Sequence, residues 1–127
     1  MIVAIGTDIL EIDRLKRAIS ENGDAFLERV FTAAERKEAS RRGNAAISYY
    51  AGRWCTKEAV SKMLGTGIGK ECSWQDITVE NDENGTPSVT LSGRAKSKAE
   101  SLGIFRIHLS ISHERHYCVA TVIGCGE

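Results

Sequence analysis

Glu58, Lys62 and Asp8 carry the first chemical signal in this chain. On a helical wheel turning about 100° per residue from Ile47, Glu58 falls between Ala51 and Trp54, in the middle of an apolar stripe. A carboxylate is rarely placed there unless it is paired or bound to a cation. Lys62 lies one turn on, so an ordinary Glu–Lys pair worth about 0.2–0.5 kcal/mol fits the same spacing. Asp8 follows an apolar run and Gly6, where a turn-forming role is common. Two acids meeting from a strand and a helix also suit magnesium. That ion takes one or two carboxylates and completes its shell with waters and phosphate oxygens.

After Lys62 runs Gly65-Thr66-Gly67-Ile68-Gly69-Lys70. It lacks the Walker spacing. It also follows a helix with Gly-x-Gly-x-Gly spacing, unlike the strand-led dinucleotide fingerprint. A helix C-cap with a loop explains it as readily as phosphate binding does. His113 and His116 stand three apart in an expected hairpin, with Cys118 as a third ligand nearby. The acid pair elsewhere favours a hard cation over a transition metal at that hairpin.

The elements that must position these groups follow from periodicity and punctuation. Residues 2 to 5 predict a buried strand ended by Gly6-Thr7-Asp8. Asp13 predicts the N-cap of a short helix with Leu15 and Ile19 inward and Arg14, Lys16 and Arg17 outward. Asn22-Gly23 breaks it, and Phe26, Leu27, Val30 and Phe31 form a second apolar helical patch. Thr32 and Glu35 make a capping box for a helix reaching about Arg42. The long helix spans residues 45 to 64 and stops at Gly65. Residues 77 to 81 and 88 to 92 read as a hairpin through Asn84-Gly85. A helix capped by Ser92 covers about 93 to 102, then strands cover 106 to 112 and 117 to 123. The sum is one α+β domain, residues 1 to 127, with a mostly antiparallel sheet. Tyr49, Val60 and Met63 lie opposite Trp54 on the long helix. That all-round apolarity predicts surface for more than one copy to cover.

The bulk properties narrow the function. The chain has 127 residues and a formal net charge of zero, which speaks against a general nucleic-acid binder. The four cysteines include no Cys-x-x-Cys pair, which disfavours a zinc knuckle. Met1 to Gly6 is too short for a signal-peptide core and lacks a basic lead-in. No run approaches the roughly 20 apolar residues of a membrane span. A cytoplasmic protein with free thiols and no membrane partner is the expectation.

At this point the motifs resemble a family. Gly6-Thr7-Asp8, the run from Gly52-Arg53-Trp54 through Lys57-Glu58 to Lys62, and the glycines 65 to 69 are similar to the signatures of holo-acyl-carrier-protein synthases. Asn84-Gly85-x-Pro87 and His108 to His113 extend the likeness. These synthases belong to the phosphopantetheinyl transferases. The resemblance implies an α+β homotrimer with active sites between subunits. It implies transfer of 4'-phosphopantetheine from coenzyme A to a serine of acyl carrier protein, in support of fatty acid biosynthesis. By the same likeness Asp8 and Glu58 would hold Mg2+, and Lys62 would contact coenzyme A phosphate. Arg53, Gly65, Gly67, Ile68, Gly69, Pro87 and His113 would contact the coenzyme. Arg14, Arg17 and the region of Phe26 would dock the carrier, although a solvated helix face also accounts for such a basic cluster. Glu58, directly or through a water, is the expected base.

The chain departs from the family pattern in places. Trp54 stands where Phe is common, and Cys55 or Thr56 where Ala is common. A basic nucleotide-holding pair is replaced by Asn44-Ala45, with Arg41 and Arg42 close by to substitute. Two rivals remain open on sequence grounds: a non-catalytic binding module of the same fold, and a magnesium-dependent nucleotide hydrolase.

Overall fold

The helix that carries Glu58 is the axis of the molecule. In the computed structural model, which describes residues 1–127, the elements run β1 (Ile2–Glu11), α1 (Ile12–Val30), α2 (Ala33–Ala39), α3 (Ala46–Leu64), β2 (Ile77–Asn81), β3 (Pro87–Leu91), α4 (Gly93–Ser101), β4 (Arg106–His113) and β5 (Tyr117–Cys125). Strands β1, β5 and β4 form an antiparallel sheet in that order, and β2 with β3 forms a separate antiparallel hairpin. The architecture is the expected α+β.

α3 packs on β1, β5 and β4 along one side and on α1, α2 and β2 along others. From Tyr49 to Leu64, only Glu58 and Lys62 escape burial. The helix therefore has no apolar stripe. It is enclosed all round, with one gap where the two charged residues stand. Its apolar faces are covered within one copy, which corrects the expectation that α3 needs a second chain. Gly65 ends it in the left-handed region (φ 78°), donating its N–H to the Lys62 and Ser61 carbonyls.

The uncovered apolar surface lies on the sheet instead. Ile5, Ile9 and Tyr117 are exposed, and Ile5 pairs with Ile123 and Ile9 with Val119 across β1 and β5. The expected buried strand at residues 2 to 5 is thus an edge strand of ten residues, buried on one face only. Apolar residues on both faces hid its alternation. Its inner residues are Gly6, Asp8 and Leu10, so Asp8 lies mid-strand opposite Ala120 and forms no turn. Gly6 is required there. A Cβ on it would stand 2.1 Å from the Ala59 carbonyl oxygen and 2.7 Å from the Met63 nitrogen. Only a hydrogen lets β1 lie this close to α3.

Other boundaries shift by local chemistry. Asp13 sits inside the first turn of α1, whose N-cap is Glu11. Its charge suits the helix N-terminus without a capping bond. Gly23 (φ 56°, ψ −137°) kinks α1, which then resumes through Phe26 to Val30. The Thr32–Glu35 capping box forms as expected, but α2 ends at Ala39, short of Arg42. Ser92 makes no side-chain cap for α4. Asp76, distant in sequence, accepts the Ala95 N–H at 3.2 Å. No helix is long and apolar enough to cross a membrane.

Candidate active site

β1 and α3 bring Asp8, Glu58 and Lys62 into one cleft of about 180 Å³, with Leu10, Arg14, Trp54 and Cys55 completing its lining. Lys62 Nζ donates to Asp8 Oδ1 at 2.8 Å, so the lysine pairs across elements and not with Glu58 one turn back. This ion pair holds the ammonium pKa up. Glu58 has neither an ion-pair nor a hydrogen-bond partner for its carboxylate. Partial burial pushes its pKa up, and the neighbouring Asp8 charge adds to the effect, against the pull of Lys62 and Arg14. An under-satisfied carboxylate beside a second one is a place for a positive charge. The donor set is oxygen only, which fits a hard dication. No group of three His, Cys, Asp or Glu side chains is arranged to hold a metal ion. Two carboxylates match what magnesium takes from a protein.

Asp8 is held from behind as well. Cys55 Sγ donates to the Asp8 carbonyl at 3.1 Å from one turn before Glu58. The thiol is buried against Cys118, and that contact together with burial raises its pKa far above the usual thiol range. Cys118 is therefore turned under α3, while His113 Nε2 lies 3.0 Å from the Ser48 carbonyl. The His113, His116 and Cys118 ligand set does not assemble.

The remaining expected residues lie away from this cleft. Arg53 is 4% exposed, stacks its guanidinium 4.0 Å from the Tyr49 ring centroid and donates to Asn81 Oδ1 at 2.6 Å. Its Nε has no partner. Asn81 pairs with Pro87 across the hairpin. The His113 ring sits on Gly52, where a Cβ would come within 3.2 Å of Nε2. Arg42 approaches Tyr49 at 4.7 Å and is held by Glu38 at 2.8 Å. Arg41, Arg42, Lys37, Tyr49 and Asn81 line a polar cleft of about 360 Å³. Asn44 and Ala45 form a turn of 3-10 helix before α3 and line neither cleft.

The expected residues therefore do not share one cleft: Asp8, Glu58 and Lys62 do, and Arg53, Pro87 and His113 stand apart from them. Glu58 and Arg53 are five residues apart, about 140° round α3. Ser48, which receives His113, and Lys62 lie about 20 Å apart along the axis. The glycines 65 to 69 follow the Lys62 end, with Gly69 bridged to Cys72.

The 4'-phosphopantetheinyl transferase superfamily matches residues 4–122 of the chain. The holo-[acyl-carrier-protein] synthase of Aliivibrio fischeri is 48% identical to it over 125 residues, 96% of each protein. The chain belongs to the holo-acyl-carrier-protein synthases, a family of transferases. The Neisseria meningitidis holo-[acyl-carrier-protein] synthase superposes with a TM-score of 0.90 at 35% identity, over 98% of both chains. The Bacillus anthracis synthase, solved in complex with CoA (3',5'-ADP), gives 0.83 at 40% identity over 100% of this chain and 99% of that one.

Within the family's signature run, sequence reasoning missed Lys57. It is fully buried, pairs with Glu35 Oε1 at 2.7 Å and donates to the Val30 and Trp74 carbonyls at 2.9 Å each. Glu35 Oε1 and Oε2 also accept the Thr32 and Val79 N–H groups. Glu35 looked like a cap alone. The one available signal was Lys57 on a helix with no polar face.

Proposed function

We propose that the chain transfers 4'-phosphopantetheine from coenzyme A to a serine of apo acyl carrier protein, releasing adenosine 3',5'-bisphosphate. The carrying observation is the unpartnered Glu58 carboxylate beside the Asp8–Lys62 pair, in one cleft at the gap in the cover of α3 between Tyr49 and Leu64. Asp8 and Glu58 would hold Mg2+, which when bound supplies positive charge to the pyrophosphate oxygens. Lys62 can leave Asp8 for a phosphate oxygen, since its side chain is 54% exposed. Glu58, whose pKa burial raises, would accept the serine proton in this reading. Gly65 and Gly67 (φ 78° and 65°) bend the backbone beside Lys62, where the coenzyme's arm would pass.

Arg53, Pro87 and His113, with Arg41 and Arg42, would take the nucleotide end of the coenzyme. In one copy they lie on the far side of α3 from Glu58. In this reading a second copy would supply one of the two groups to each coenzyme molecule. That, with the exposed apolar face at Ile5 and Ile9, supports a homotrimer with shared sites. The carrier, an acidic protein, would land on the first turns of α1, where Arg14 and Arg17 are exposed, while Phe26 is buried and backs that face through Trp54 without touching the carrier itself. The product serves fatty acid biosynthesis in this reading.

The test is incubation with coenzyme A, magnesium and apo carrier protein, read by mass spectrometry. The carrier gains the phosphopantetheine mass if the proposal holds. Coenzyme hydrolysis with an unmodified carrier, or no reaction, rejects it.

A further inference from the structure

Lys62 is required in two places. Its Nζ donates to Asp8 Oδ1 at 2.8 Å, while the transfer proposed above needs that ammonium on a phosphate oxygen. Of the two partners, the lysine is the one free to move. Its side chain is 54% exposed, against 17% for Asp8. Asp8 lies mid-strand in β1 opposite Ala120, and its carbonyl accepts from the Cys55 thiol at 3.1 Å. Glu58 lines the same cleft one turn before Lys62 and makes no ion pair with it. Arg14 lines it too, but its guanidinium carbon lies 5.2 Å from the Trp54 ring centroid, and it pairs with neither acid. One carboxylate of the proposed metal pair thus carries its own counter-ion, and the other carries none.

We infer that Lys62 is an exchangeable counter-ion of Asp8, and that its passage from carboxylate to phosphate couples magnesium binding to coenzyme A binding. The inference rests on the transfer reading above. Asp8 and Glu58 together bring two negative charges, which a dication neutralises without help from Lys62. Its charge also repels an ammonium held on the same carboxylate. Lys62 then gives up Asp8 and swings out on its flexible four-carbon stem to a phosphate oxygen. The exchange also runs the other way. A pyrophosphate that draws Lys62 off leaves Asp8 unpaired beside an unpaired Glu58, and that doubly negative mouth takes a dication more readily. By linkage each ligand raises the affinity for the other by the same factor.

Calorimetry on the assembled enzyme, with no carrier present, tests the exchange through Lys62→Met, which keeps an unbranched stem and removes the charge. Magnesium titrated without coenzyme should bind the variant about fivefold more tightly than the wild type, the upper scale of a partly exposed ion pair. Coenzyme A titrated without magnesium should bind both proteins within about twofold, because the wild-type ammonium is held by Asp8. With magnesium saturating, the variant should bind coenzyme A about tenfold more weakly, since the freed ammonium now bonds phosphate in the wild type alone. Equal weakening with and without magnesium would make Lys62 a plain phosphate contact and overturn the inference. Unchanged magnesium affinity in Lys62→Met would overturn it as well. So would an equal gain in magnesium affinity from Arg14→Ala, because the effect would then be loss of any positive charge from the cleft. A wild type that transfers nothing to the carrier rejects the parent reading alone, since the calorimetric comparison involves no transfer.

Discussion

Two lysine–carboxylate pairs sit five residues apart on α3, and they are built to opposite specifications. Lys57–Glu35 is fully buried, and its hydrogen bonds reach Thr32, Val79, Val30 and Trp74. Every charge-bearing atom has a partner, so the cluster ties α1, α2, α3 and β2 together and leaves nothing for a ligand. Lys62–Asp8 opens on a cleft, with an exposed ammonium and a third charged group, Glu58, left unpartnered. Burial alone does not distinguish structure from function here. Remaining hydrogen-bonding capacity does.

Breaking the closed pair tests the contrast most strongly. Lys57→Ala strands a buried Glu35 carboxylate and should cost about 3–5 kcal/mol of stability, read from the urea midpoint. A loss below 1 kcal/mol would mean water reaches the cluster. In the open pair, Glu58→Gln should cut turnover at least 100-fold, the scale expected when one charge-stabilising group is lost, and keep the fold. Its melting temperature without magnesium should equal or exceed the wild type, since a half-buried charge beside Asp8 is removed. Magnesium should raise the wild-type melting temperature and not that of the variant. A magnesium shift that survives in Glu58→Gln would remove Glu58 from the ligand set.

Gly6→Ala probes what holds the two elements together. Its Cβ would meet the Ala59 carbonyl, so β1 must lift from α3, at a cost of about 1–3 kcal/mol. Turnover should fall as well, because Asp8 rides on the same strand. A variant with normal turnover would show that the strand gives way without moving Asp8. Arg17→Ala should give the smallest change. The carrier KM should rise about two- to threefold at low salt and converge with the wild type at high salt, where surface charges are screened. An unchanged KM at both salts would leave Arg17 as a solvated side chain.

Much of this was legible in the sequence, for identifiable reasons. Gly65, the Thr32–Glu35 box and the Asn84-Gly85 turn are local devices, and each ends or starts an element where its chemistry says. Asp8 and Glu58 announced themselves as acids in apolar surroundings. What could not be read was long-range. The Asp8–Lys62 pair joins positions 54 apart, and Lys57–Glu35 joins α3 to a residue that already had a local role. β1 looked buried through because Val3 and Ile5 are apolar on a face that one copy leaves open. Arg14 and Arg17 have the same type and the same helix, and only Trp54 beneath one of them sets them apart.

Under the proposed homotrimer with shared sites, the placement of Glu58 and Arg53 on different sides of α3 has a genetic consequence. Two inactive proteins, one with Glu58→Gln and one with Arg53→Ala, should complement each other once their subunits are mixed. In a randomly assorted equimolar population of closed rings, about one quarter of the shared sites draw an intact Glu58 from one subunit and an intact Arg53 from its neighbour. Activity should then reappear from two dead preparations, and it should vanish again if both substitutions are placed on the same chain.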